Sequence, residues 1–289
     1  MAPPFPSMTE TWHEDMYPAI DPTKRPKLSL QGKKVVISGG GAGIGRGLTQ
    51  AFADAGASSI AIIGRRDSML HETKRRVKDN NSNADITTIV ADITDAASVK
   101  KAAQEIGNWD ILISNAGYLS TPALLVQSEA DEWWRSFEVN VKGTFNLTQA
   151  FLPSRNPASI LIGINAATIQ IPGDFARNFS AYNSSKLAAL KILEILAAEH
   201  PDLHVVSMHP GVVESNMTRK VGLHLEHFDS VQLAGNFAVW LCSEEAKFLR
   251  GRFAWSNWDV DELKARKDEI EGSLLLTANC IGWPYSPNA

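Results

Sequence analysis

Tyr182 and Lys186 stand four residues apart in Tyr182-Asn183-Ser184-Ser185-Lys186, a spacing that puts both side chains on one face of a helix. A free phenol titrates at about 10, so Tyr182 trades a proton near neutrality only where a cation such as the Lys186 ammonium stabilises its phenolate. Hydride addition to a carbonyl, or hydride removal from a carbinol, requires such a proton donor or acceptor. Upstream, Ser38-Gly39-Gly40-Gly41-Ala42-Gly43-Ile44-Gly45 follows an apolar run. There Gly39, Gly43 and Gly45 open a helix whose bare N–H groups and positive end suit a pyrophosphate. Glycines alone serve tight packing as readily, but the order strand, glycines, helix in a first βαβ unit points to a dinucleotide. At the end of the second apolar run, where an acidic side chain would bind a free ribose 2′-hydroxyl, the chain has Gly64-Arg65-Arg66. A guanidinium there favours a 2′-phosphate, so NADP(H) is expected over NAD(H). The alternative for Arg65 and Arg66 is surface charge beside Asp67.

These residues need a scaffold, and the 289-residue chain, 44% apolar and 21% charged, is long enough for one large core. Seven short apolar runs alternate with amphipathic stretches: Val35-Val36-Ile37, Ile60 to Ile63, Ile86 to Val90, Ile111 to Ile113, Ile160 to Ile162, Val205-Val206 and Phe253 to Trp255. Continuous apolar strands between helices mean burial on both sheet faces and right-handed crossovers. The expected fold is therefore α/β, a three-layer αβα Rossmann architecture around a doubly wound parallel sheet of about seven strands, with ligands at the carboxyl ends. Residues 1–30 are rich in proline and read as an extended arm lying on a single domain of residues 31–289, pinned by Trp12 and Tyr17. Asp259 to Glu271 reads as a solvated helix with Glu262/Arg266 and Lys267/Glu271 pairs.

A net charge of −4 and a pI of about 6.0 point away from nucleic acid and anionic membranes. The two cysteines, Cys242 and Cys280, lack metal or redox spacing, and no signal peptide or membrane span is evident, so a reducing, cytoplasmic setting is expected.

With the glycine loop, Asp92, Ser114-Asn115-Ala116-Gly117, Asn140-Val141-Lys142-Gly143, Tyr182-x-x-x-Lys186 and Pro210-Gly211 in order, the chain resembles the short-chain dehydrogenase/reductases over roughly residues 30–260. Its arm and the segment Trp255 to Asp261 are similar to a filamentous-fungal branch often found in secondary metabolism. The resemblance implies a cofactor site made of Ser38, Gly39, Gly43, Ile44, Gly45, Arg65, Arg66, Asp92, Ile93, Asn115, Ala116, Gly117, Tyr182, Lys186, Pro210, Gly211, Val213 and Ser215. Asp92 and Ile93 would lie at the adenine, although Asp92 taken alone equally suits a helix cap before Ala96. Pro210, Gly211, Val213 and Ser215 would hold the carboxamide end, with Ser215 in place of the usual threonine. Tyr182, Lys186 and Asn140 would be catalytic, Asn140 through a water in a proton relay. The family's substrate-binding serine falls at Ala166 in Ile164-Asn165-Ala166-Ala167-Thr168, which leaves Asn165 or Thr168 as substitutes. About five extra residues, Asp174 to Asn178, precede Tyr182.

The substrate is expected to be a small organic molecule under a lid spanning about 216–235. His224 and His227, in that lid, offer two of the ligands a metal would need and no third, so no metal is expected. Trp133 and Trp134 read as core and interface aromatics. Apolar stripes on the helices from Trp133 to Thr148 and Tyr182 to Ala198, with Leu187, Leu190, Leu193 and Ile195, point to a homodimer or homotetramer. Two other functions fit the missing serine: a redox-neutral cyclase, dehydratase or isomerase with NADP as a positioning group, and a non-catalytic NADP-binding protein.

Overall fold

The computed structural model describes residues 3–80, 83–223 and 225–280. Seven strands form one sheet: β1 (Lys34–Ser38), β2 (Ser59–Gly64), β3 (Asp85–Val90), β4 (Trp109–Ser114), β5 (Arg155–Ile164), β6 (His204–His209) and β7 (Phe253–Trp255). All six pairings are parallel, in the order β3-β2-β1-β4-β5-β6-β7. Each strand contains the apolar run expected of it.

Alternation along each strand sends successive side chains to opposite faces, and two cores result. Val35, Ile37, Ile60, Ile62 and Ile113 face helices α1 (Gly43–Asp54), α2 (Asp67–Asp79) and α8 (Val231–Leu241). Val36, Ala61, Ile63, Leu112 and Leu161 face α3 (Ala96–Ile106), α5 (Gly143–Phe151) and α6 (Ser180–Glu199). Fully buried side chains such as Phe52 and Phe151 each contribute about 1.5–3 kcal/mol of hydrophobic stabilisation. Between β1 and β4 the winding reverses, which opens a crevice at the carboxyl ends of those strands.

Residues 3–30 run across the first core. They contain two short 3-10 turns, Pro18–Ile20 and Pro26–Leu28, and bury Trp12, Tyr17, Ile20, Leu28 and Leu30. The Tyr17 hydroxyl donates to Trp258 O and accepts from Val260 N, and Trp12 pairs antiparallel with Trp258.

Two boundaries differ from those the sequence suggests. The solvated helix is broken into α9 (Val260–Ala265) and α10 (Lys267–Glu271); Glu262 accepts from the arm amides of Glu10 and Thr11, and Arg266 pairs with Glu269. The lid is shorter than 216–235: after α7 (Asn216–Lys220) it ends by Ser230, because Leu233, Ala234 and Gly235 are buried in α8. His224 lies outside the described residues, and His227 is exposed. Among the described residues there is no cluster of metal ligands and no helix long and apolar enough to cross a membrane.

Candidate active site

The glycine loop leaves β1 in a left-handed turn at Gly39 (φ 71°). A Cβ on Gly45 would lie 2.1 Å from Gly39 O, so only glycine lets α1 begin this close to the strand. Asn115 and Ser38 hold the turn from behind. Asn115 donates to Ser38 O (2.8 Å) and Gly39 O (3.3 Å), while the buried Ser38 hydroxyl donates to Ile113 O and accepts from the amides of Asn115 and Ala116. Ser38 thus ties β1 to β4 and has no hydroxyl proton to spare for a ligand. The N-cap of α1 is Ala42, and no side chain caps the first turn. The N–H groups that a phosphate needs are therefore left without a side-chain acceptor. Gly43 (φ 50°) faces Ser215 across the crevice; a Cβ there would stand 3.6 Å from the Ser215 Cβ.

Arg65 and Arg66 leave the end of β2 exposed. Arg65 Nη1 stands 3.8 Å from Asp92 Oδ2, a loose surface pair that binding can rearrange. Asp92 caps no helix: its Oδ1 accepts from Thr94 N and Thr94 Oγ1, and Asp95 caps α3. The Ile93 side chain is buried in the second core. It packs against Gly143, where a Cβ would meet it at 2.5 Å. Arg46, unremarked in the sequence, bends back to Gly41 O (3.1 Å) and Thr73 Oγ1 (3.3 Å).

Tyr182 and Lys186 lie one turn apart on α6, with Lys186 Nζ 5.9 Å from the phenol ring centre. The Lys186 amine donates to Ile164 O at 2.9 Å. A Cβ on Gly117 would lie 3.3 Å from that amine and 3.4 Å from Asn140 Oδ1, so Gly117, Asn140 and Lys186 converge. Asn140 sits in a π-helical turn, Glu138–Lys142, between α4 (Ala130–Phe137) and α5, a local underwinding often found at functional sites. Its side chain is fixed by Tyr118 N (2.8 Å), Tyr118 O (2.8 Å) and Ser185 Oγ (2.9 Å), and Ser185 donates in turn to Tyr182 O.

Electrostatically the pair differs from the expectation. Burial pushes the Tyr182 phenol up to about 12 and the Lys186 amine down to about 8, since each charged form is desolvated. Desolvation thus holds the phenol protonated, as an acid must be before it donates.

Ala166 lies two residues beyond the end of β5 and is buried. Both proposed substitutes are already engaged: Asn165 donates one amide N–H to Lys186 O and accepts from Ala166 N, and the Thr168 hydroxyl gives its single proton to Asn183 Oδ1 at 2.7 Å. Pro210, Gly211 and Val213 are buried, and Ser215 caps α7 through a reciprocal capping box with Thr218, so its hydroxyl shapes the lid.

A cavity of about 240 Å³ opens beside Tyr182, walled by Ser120, Thr121, Gln127, Glu132, Trp133 and Phe179. Trp133 is therefore a wall of this cavity rather than a core aromatic, its indole fixed to Ser180 Oγ. Sequence patterns also missed Glu132 and Lys220. Lys220, on α7, donates to Glu132 Oε1, Tyr118 Oη and Leu119 O at 2.9–3.1 Å. Burial alone would raise the Glu132 carboxyl, but Lys220, the Thr121 amide and the Tyr118 hydroxyl outweigh it and hold the group at about 2. The cluster fastens the lid helix to the loop after β4; its partners lie 88 residues apart in sequence, where local spacing carries no signal.

The sheet order, the uncapped helix end at the crevice and the tyrosine–lysine pair beside it define a dinucleotide-binding oxidoreductase architecture. Comparison with known proteins narrows this: the short chain dehydrogenase family model matches residues 33–226. The chain belongs to that family, whose members are NAD(P)-dependent oxidoreductases. It is similar to the short chain dehydrogenase citE of Monascus ruber, 33% identical over 286 residues, covering 92% of this chain and 94% of that one. Among solved structures, the fold matches the Pseudomonas aeruginosa RhlG/NADP complex (TM-score 0.71, 24% identity, 80% of this chain and 97% of that one). It also matches a Brucella melitensis 3-ketoacyl-(acyl-carrier-protein) reductase complexed with NADH (TM-score 0.69, 24% identity, 78% of this chain and 97% of that one).

Proposed function

We propose that this protein is an NADP(H)-dependent reductase acting on a ketone or related C=O or C=N group of a small organic, secondary-metabolite-like substrate in the cytosol. The observation that carries the reading is the placing of Tyr182 and Lys186 on one helix face, beside Gly117 and Asn140 and across the crevice from an uncapped α1. The glycine turn, the α1 N–H groups and the Pro210–Ser215 loop would hold the dinucleotide, with Arg65 and Arg66 at a 2′-phosphate. When bound, that group supplies the hydride equivalent.

The chain's own residues handle the proton. Tyr182, protonated because it is buried, donates from Oη to the oxygen or nitrogen that gains electrons. Lys186, with a pKa of about 8, is mostly charged at neutrality and stabilises the phenolate left behind. Asn140 and Ser185 set the Tyr182 backbone. In Tyr182→Phe, kcat for reduction is expected to fall about 10²- to 10⁴-fold with cofactor affinity retained; reduction at the parent rate would refute the acid assignment.

A second reading rests on one observation, the methyl group of Ala166 where a hydroxyl would grip the substrate oxygen. It is a redox-neutral cyclisation, dehydration or isomerisation with NADP as a positioning group. NADPH consumed in step with product separates the two readings in favour of reduction. We also propose a homodimer or homotetramer built on α4, α5 and α6, because Trp134, Phe145, Leu187 and Ile195 are 45–58% exposed there. Leu190 and Leu193 take no part, being buried toward the sheet. A monomer in sedimentation at micromolar concentration would exclude such an assembly.

A further inference from the structure

The loop after β6 cannot hold its shape alone. Gly211 is left-handed (φ 81°), and a Cβ there would strike Asp229 Oδ2 at 2.6 Å. Asp229 grips the next residue from both sides: its Oδ2 accepts from Val212 N at 2.5 Å, and its own N–H donates to Val212 O at 2.9 Å. The other carboxylate oxygen, Oδ1, accepts from Asn257 Nδ2 at 2.9 Å. Asn257 is 1% exposed and exchanges two bonds with the arm, donating to His13 O and accepting at its own carbonyl from His13 N, both 2.9 Å. One residue further along the arm, Glu14 O accepts from Ser230 N at 2.7 Å. Backbone from the start of the chain thus reaches the Gly211-Val212 peptide through two side chains.

A second line runs through aromatic rings. Trp12 meets Trp255 edge-on at 6.0 Å, and His209 meets the same ring at 5.1 Å. His209 Nδ1 accepts from Ala167 N at 3.2 Å, next to the residue at the vacant serine position. Both loops that border the site from β5 and β6 therefore lean on the arm and on the turn after β7.

We propose that Asp229 is a positioning residue for the nicotinamide end of the cofactor site, and that the N-terminal arm, acting through Asn257, holds it in place. The inference rests on the reading of the Pro210–Ser215 loop as part of a dinucleotide site. It excludes the alternative in which the arm only adds to the stability of the whole fold. A carboxylate serves both donors because each has its own oxygen, whereas an amide has one acceptor and must release either Val212 or Asn257.

The test uses the full-length protein, Asp229→Asn and Asn257→Ala. Whichever of NADPH and NADH the parent binds more tightly is titrated beside the same molecule lacking its nicotinamide, ADP-ribose or its 2′-phosphate. Asp229→Asn is expected to weaken the complete dinucleotide about tenfold or more, and Asn257→Ala a few-fold, with the truncated ligand bound as in the parent. Equal weakening of both ligands, or no weakening of either, overturns the inference while the functional reading stands. A parent protein that binds neither dinucleotide overturns that reading and the inference together.

Discussion

At the nucleotide end of the crevice, shape is set by main chain that small residues hold in place: Gly39 and Gly45 in contact, Asn115 bridging two carbonyls, Ser38 sewn to β4. At the substrate end it is set by long or bulky side chains: Phe179, Trp133 stacked on Phe137, and Glu132 paired with Lys220. The first arrangement tolerates little change, since a single added carbon would collide with backbone. The second can be rebuilt one residue at a time without disturbing the sheet. A family can therefore keep its cofactor chemistry while its members diverge in substrate, and Ala166 lies on the side free to diverge.

That contrast can be broken most sharply at Ala166 itself. If the substrate oxygen still lies where the family serine would reach it, Ala166→Ser raises kcat for reduction by up to about 100-fold. No gain would show that the substrate end has been rebuilt around a different donor. At the nucleotide end, Arg65→Glu puts a carboxylate beside the expected 2′-phosphate and should weaken NADPH about tenfold or more relative to NADH. Equal affinities before and after would remove the 2′-phosphate assignment.

The pair that joins the two ends offers a pH test. Burial lowers the Lys186 pKa to about 8, so the charge that supports Tyr182 is present below that value and lost above it. Reductive kcat/KM should hold level up to about pH 8 and then fall roughly tenfold per unit. A plateau reaching pH 10 would mean that the lysine keeps its ordinary pKa. The smallest effect is expected at the lid. Lys220→Met frees α7 from Glu132 and Tyr118, and because these groups are partly exposed the parent's KM should drift upward with salt while the variant's, a few-fold higher, should not. Salt profiles of equal slope would count against a fastened lid.

The sheet was legible because most strands are continuous apolar runs covered on both faces, the edge strand β3 with its exposed Thr87 and Val90 excepted, and Tyr182, Lys186 and the glycine loop because their chemistry depends on spacing within one element. Contacts between distant segments left no such trace. Asp229 looks like any loop aspartate until Asn257 and Val212 are seen around it, and Glu132 reads as helix surface until Lys220 arrives from α7. The far bound of the lid leaves no trace in sequence, since Leu233 and Ala234 resemble a substrate wall although the first core claims them. Asp92 suits a helix cap in sequence, but Asp95, three residues later, holds that position. The pKa order of the central pair was not legible at all, since desolvation depends on how much protein surrounds each group.

The seam between arm and tail also bears on how the chain reaches its native state. Glu10 N–H meets Glu262 across 252 residues of sequence, so the arm has no docking place until the segment around Glu262 has been made. Closing so wide a loop is entropically slow. Until it closes, Trp12, Tyr17 and Ile20, which the first core buries, remain bare, and the nascent polypeptide offers chaperones an apolar handle.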